Sequence, residues 1–177
     1  MDLIYTGVGS RECPADVGKL MTKIATFLYE EGYVLRSGGA PGADTFFERG
    51  VPSDDGKEIY LARKGDFGNK SSLHGVCDDA LAMAKSIHPN WNAPGMVRNN
   101  NHGRQLHARN CYQVLGPNLD NPARFLLCWT ERGEAAGGTR TAIKLAERND
   151  VPVFNFGAVK SKKYMDAFEL FYMKVAV

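Results

Sequence analysis

Short apolar runs alternate along this chain with longer segments whose apolar residues recur every three or four positions. Runs at 3–8, 33–36, 57–61, 124–129 and 151–156 are too brief for helices and are apolar almost without a break, as in Phe125-Leu126-Leu127-Cys128-Trp129. They predict five strands buried on both faces. Between them, Val17, Leu20, Met21, Ile24, Phe27 and Leu28 fall at helical spacing behind Pro14 and stop before Gly32. Further helices are predicted over 43–49, 71–87, 101–115, 138–148 and 162–175. In 71–87 the expected buried stripe is Leu73, Val76, Ala80, Leu81 and Ala84. Strand-helix alternation of this kind predicts an α/β fold: one doubly wound, mainly parallel, five-stranded Rossmann-like sheet in a single domain.

Three glycine-rich turns stand where a strand hands over to a helix. They are Gly7-Val8-Gly9-Ser10-Arg11, Ser37-Gly38-Gly39-Ala40-Pro41-Gly42-Ala43-Asp44 and Gly133-Glu134-Ala135-Ala136-Gly137-Gly138-Thr139. Backbone without Cβ atoms lets a phosphate approach, and the first turn of the next helix has free N–H groups to offer it. Three such turns point to a nucleotide or sugar-phosphate site beyond the C-terminal ends of the strands. The nucleotide-binding candidates are Gly9, Ser10, Arg11, Ser37, Gly38, Gly39, Gly42, Asp44, Gly137, Gly138 and Thr139. A phosphate would rest on N–H groups of Gly39 and Gly42, or of Gly138 and Thr139, with Arg11 or Arg109 as counter-charge.

The first turn does not complete a dinucleotide fingerprint. Glu12 stands where the third glycine belongs, and Arg36 and Ser37 sit at the end of the second strand where a ribose-binding acid would stand. Asp44 and Glu48, four apart, share one helix face. Either Asp44 is a first-turn acid favoured by the helix dipole, with Glu48 on the surface, or the pair does chemistry. Because a carboxylate repels a phosphate, a functional Asp44 would hold ribose hydroxyls or a base. As catalysts of N-glycosidic cleavage, Asp44 or Glu48 would stabilise the oxocarbenium-like sugar or activate water. The polar stretch 98–110 carries three arginines and two histidines. There His102, Gln105 and Arg109 are expected near one helical face, and at least one arginine is expected to serve the ligand.

Composition narrows the partners. The 177 residues suit one domain, and a net charge of +2 argues against bulk electrostatic capture of nucleic acid. Cys13, Cys77, Cys111 and Cys128 have no Cys-x-x-Cys spacing, and His102 and His107 are five apart, so neither zinc nor another metal is expected. Reduced thiols, a first strand that leaves no room for a leader, and no membrane-length apolar run point to the cytoplasm. No P-loop lysine and no Gly-x-Ser-x-Gly elbow occur. No cofactor is expected beyond a bound nucleotide.

Gly9-Ser10-Arg11, Ser37-Gly38-Gly39-Ala40-x-Gly42-Ala43-Asp44 and Gly137-Gly138-Thr139-x-x-Ala142, the last followed by Val151-Pro152-Val153, resemble the SLOG superfamily. That group includes DprA/Smf-like DNA-processing proteins, LOG-type nucleotide phosphoribohydrolases and YspA-like proteins. The resemblance covers about residues 1–156. It implies a Rossmann-like fold, a nucleotide-like ligand and possible homodimers. By the LOG pattern, His107-Ala108-Arg109-Asn110 places Arg109 at a catalytic arginine, while Ala142 stands where that pattern has its catalytic glutamate. The chain is therefore expected to bind a nucleotide as a sensor or binding module. Phosphoribohydrolase-like cleavage is the alternative, and single-stranded nucleic-acid binding a further, less favoured one.

Overall fold

The computed structural model describes residues 3–176. Its sheet has five strands, all parallel: β1 (Ile4–Gly9), β2 (Val34–Ser37), β3 (Lys57–Ile59), β4 (Phe125–Trp129) and β5 (Val153–Asn155). Their spatial order is β3-β2-β1-β4-β5. Tyr5 pairs with Leu35 on one side and Phe125 on the other, which puts β1 at the centre. The helices are α1 (Ala15–Glu30), α2 (Ala43–Arg49), α3 (Asp78–Ile87), α4 (Pro94–Leu115), α5 (Arg140–Arg148) and α6 (Tyr164–Val175). The doubly wound α/β architecture read from the sequence is the one observed.

The period of two along each strand sorts side chains into two cores. Tyr5, Leu35, Phe125 and Leu127 pack against α1, α2 and α6 through Val17, Met21, Ile24, Leu28, Phe47 and Phe168. Val8, Leu126 and Cys128 pack on the opposite face against α3, α4 and α5, through Ala80, Ala84, Ala108, Cys111, Ala142 and Ala146. The second core is rich in alanine, which lets its three helices lie close to the sheet and to one another.

Two helices differ from expectation. The third starts at Asp78, not residue 71. Ser71 Oγ donates to the Ile59 carbonyl, and Leu61 donates its N–H to the Leu73 carbonyl and accepts from Gly75 N–H, holding 71–75 extended beside the end of β3. Leu73 is consequently exposed instead of buried. The fourth helix runs to Leu115 as expected from about residue 101, but an unexpected turn from Pro94 precedes it across a break at Arg98–Asn101, where Asn99, Asn100 and Asn101 all have left-handed backbones. Arg63 grips the break by donating to the Asn99 and Asn100 carbonyls at 2.7 and 2.8 Å. No helix among the described residues is long and apolar enough to cross a membrane.

Candidate functional site

Strand order reverses direction between β1 and β4, and the chains leaving these two strands diverge. A cavity of about 590 Å³ opens there, at the crevice where open α/β sheets place their ligands. It is lined by Gly9 at the end of β1 with Ser10 and Arg11 beyond it, Thr130 and Glu131 after β4, the Gly137-Gly138-Thr139 turn, and one face of α4. Gly95, Met96 and Gly103, on either side of the helix break, form a further wall. Gly103 is needed here because a Cβ would overlap the Gly95 carbonyl.

The first turn is built for close packing. A Cβ on Gly9 would stand 2.6 Å from the Ala43 Cβ and 2.8 Å from the Trp129 carbonyl oxygen. Ser10 N–H donates to Trp129 O at 2.9 Å, and Ser10 Oγ accepts from Glu12 N–H, so the hydroxyl caps its own turn. Arg11 is exposed, with its guanidinium 5.3 Å from the centre of the Phe67 ring.

The second turn is closed. Ser37 is buried and its Oγ donates to Gly7 O at 2.6 Å. A Cβ on Gly38 would overlap the Arg109 guanidinium and the Gln113 amide. One on Gly39 would meet Asn69, and one on Gly42 would stand 2.6 Å from Arg11 Cα and Ser10 O. None of these four residues lines the cavity. Their missing Cβ atoms make room for neighbouring protein atoms, and Gly39 and Gly42, expected to cradle a phosphate, stand outside the cavity lining.

Asp44 does reach the cavity, at 4% exposure. Burial pushes its carboxyl up to about 6, against the pull of Arg109 and of backbone N–H groups of Ala40, Gly9 and Gly38. Glu48 does not join it. It lies about 6 Å further along the helix axis, pairs with Lys57 at 3.4 Å, and lines a separate cavity with Asn69 and Ser71. Shared helical face is thus no guarantee of a shared site, and the two-carboxylate arrangement is not formed.

The third turn is open. A Cβ on Gly137 or Gly138 would meet nothing within 4 Å, and Gly137 has a φ of +57°. A single turn of 3-10 helix at Gly137–Thr139 leads into α5. Backbone N–H groups at this end have no side-chain cap, and the helix dipole favours an anion there.

Helix α4 supplies the remaining wall. Arg109 is buried and its Nη1 donates to the carbonyls of Gly38 (2.6 Å) and Tyr60 (3.0 Å), tying α4 to the ends of β2 and β3. Asn110 Nδ2 donates to Gly138 O at 2.7 Å and fixes the third turn. His107 Nδ1 lies 2.8 Å from Thr141 Oγ1; burial first, then His88, Arg109 and Arg140, push its imidazole down to about 4. His102 and Gln105 turn away, to Asp66 and Arg63.

Gly9, Ser10, Arg11, Asp44, Arg109, Gly137, Gly138 and Thr139 therefore share one cavity, while Ser37, Gly38, Gly39, Gly42 and Glu48 stand outside it. Sequence reasoning missed His107, Asn110 and Gln113 as cavity residues. The available signal was their spacing from Arg109 on one helix. No cluster of three or more His, Cys, Asp or Glu groups suited to a metal occurs among the described residues.

No protein-family model matches the chain, and no curated protein matches it in sequence. Among solved structures it is similar to DNA processing protein A from Helicobacter pylori, described as binding single-stranded DNA. The TM-score is 0.52 at 18% identity, over 86% of this chain and 64% of that one. The chain thus spans less than two thirds of that protein, and the likeness is one of α/β fold.

Proposed function

We propose that the chain binds a phosphorylated nucleoside in the cavity between β1, β4 and α4, as a binding or sensing module. The observation that carries this reading is the open Gly137-Gly138 backbone at the start of α5. It faces the same cavity as the Gly9-Ser10-Arg11 turn. A phosphate there would accept from uncapped N–H groups, with Arg11 at the edge to balance its charge. A cavity of about 590 Å³ matches a ligand of mononucleotide size.

Binding is favoured over cleavage. Ala142 lines the cavity where the LOG pattern has its glutamate, Glu48 lies elsewhere, and Arg109 is held by two carbonyls. Of the two carboxylates proposed for cleavage, Asp44 alone lines the cavity. A second reading, that the nucleotide belongs to a single strand of nucleic acid, is supported by the fold likeness to a single-stranded-DNA-binding protein.

The test is calorimetric titration and thermal shift with nucleoside mono-, di- and triphosphates and short oligonucleotides, followed by chromatography for released base. A ligand at a hundred times its dissociation constant adds about 2.7 kcal/mol of stability. Binding without turnover is expected. Released base would convert the reading to an N-glycosidase. Oligonucleotide affinity that falls steeply with salt, without mononucleotide binding, would favour the single strand. No binding across the set would overturn the proposal.

A further inference from the structure

Gln113 is 1% exposed, and neither Oε1 nor Nε2 has a hydrogen-bond partner among the described residues. It lies on the wall of the cavity. Its backbone is pinned, since Thr6 Oγ1 donates to the Gln113 carbonyl at 2.6 Å. The side chain is given room by Gly38, where a Cβ would overlap its amide nitrogen. A buried amide with both atoms unpaired is a standing cost to the fold, and such groups in native proteins call for a reason.

Its neighbours on α4 are already engaged. Arg109 donates to Gly38 and Tyr60, Asn110 donates to Gly138, and His107 meets Thr141. Gln113 differs in that both its amide donor and its amide acceptor are buried and unpaired. It also sits one helical turn beyond Arg109, next to Thr6 in the middle of β1, deeper under the sheet than the glycine turns.

We infer that Gln113 reads the base of the bound nucleotide, pairing through its amide with a base edge that offers an adjacent donor and acceptor. This rests on the nucleotide reading above and adds an orientation: base inward toward β1, phosphate outward on Gly137-Gly138. Each standard base presents such an edge, and glutamine matches it with two parallel bonds. A phosphate or a ribose offers no planar pair of this kind. A base edge at this wall would supply the partners that no protein group gives the amide.

The experiment titrates the protein with the four ribonucleoside monophosphates and with ribose 5-phosphate, which lacks the base. In the wild type the preferred nucleotide should bind about tenfold or more tighter than ribose 5-phosphate, the worth of one bidentate pair. Gln113→Met keeps the volume and removes the amide. It should reduce that advantage to less than about threefold and leave ribose 5-phosphate affinity unchanged, while the ligand-free melting temperature stays equal or rises. A purely structural glutamine would instead lower the melting temperature and weaken both ligands together.

A second arm uses only the wild-type protein. An analogue of the preferred nucleotide methylated on its donor–acceptor edge should bind no better than ribose 5-phosphate. Retention of the base advantage in Gln113→Met, or full affinity for the edge-methylated analogue, would overturn the inference while leaving nucleotide binding intact. Absence of binding by every nucleotide would overturn both.

Discussion

The second and third glycine turns have the same kind of composition and opposite surroundings. Around Gly38, Gly39 and Gly42, the space a Cβ would take is filled by Arg109, Gln113, Asn69 and the backbone of Ser10 and Arg11. Around Gly137 and Gly138 that space is empty. One turn uses glycine so that protein can pack on protein. The other uses it to leave backbone facing a cavity. A missing Cβ creates room, and only the neighbour decides what the room is for.

Four substitutions or conditions would break or sharpen that contrast. The largest effect belongs to Gly42→Ala. Its φ is +88°, and the new Cβ would stand 2.6 Å from backbone atoms that cannot rotate away. Strain and overpacking together should remove about 3–5 kcal/mol, read from denaturant midpoints. A loss under about 1 kcal/mol would show that the second turn is not closed.

Arg109→Leu comes next. It deletes two bonds to carbonyls and the cation beside Asp44, leaving buried polar groups uncompensated. Chemical denaturation should show a loss of about 2–4 kcal/mol. A near-neutral result would mean that α4 is not tied to β2 and β3 by this side chain.

The pH dependence should expose two opposing groups. Asp44 sits at about 6 in the fold against an ordinary 3.8, so the folded state holds its proton more tightly. Its contribution is full below about 3.8 and is lost as pH rises through 6. His107 sits at about 4 against an ordinary 6.5; its contribution is full above 6.5 and is lost as pH falls through 4. From pH 6.5 to 4 the two offset each other. His107→Gln should make stability rise by about 1–2 kcal/mol over that acidification, and Asp44→Asn should make it fall. Parallel pH profiles in the two variants would refute this pairing.

Gly138→Ala should have the smallest effect on the fold, within about 0.5 kcal/mol of the wild type. Its Cβ would nevertheless project where a phosphate is proposed to lie, so affinity for a phosphorylated nucleoside should drop about tenfold or more. Melting curves and titration on the same sample separate the two readouts. Unchanged affinity would move the phosphate away from this turn.

The helix at 43–49 was legible to the residue, and the five strands were located within a residue or two at most ends. Near-continuous apolar runs between polar turns leave few alternatives. The start of α3 was not legible. Leu73 and Val76 continue the helical spacing, but Ser71 and Gly75 bond to Ile59 and Leu61, and those contacts hold the segment extended. Nor was the break in α4, where Arg63 holds the carbonyls of Asn99 and Asn100 from 36 and 37 residues away. Of the candidate residues, Asp44, Arg109 and those of the first and third turns line one cavity. Glu48 was misplaced because periodicity fixes a helix face and not how far along the helix a cavity extends.

Local patterning by itself determined the strand and helix alternation, the parallel sheet and the turns at its edge, because side-chain period and chain stiffness act over a few residues. Only the tertiary structure decided which glycines face the cavity and which polar residues of α4 remain unpaired. Those outcomes depend on neighbours brought together across long separations, such as Arg109 against Gly38, 71 residues apart, and a contact of that range leaves no mark in either segment read alone.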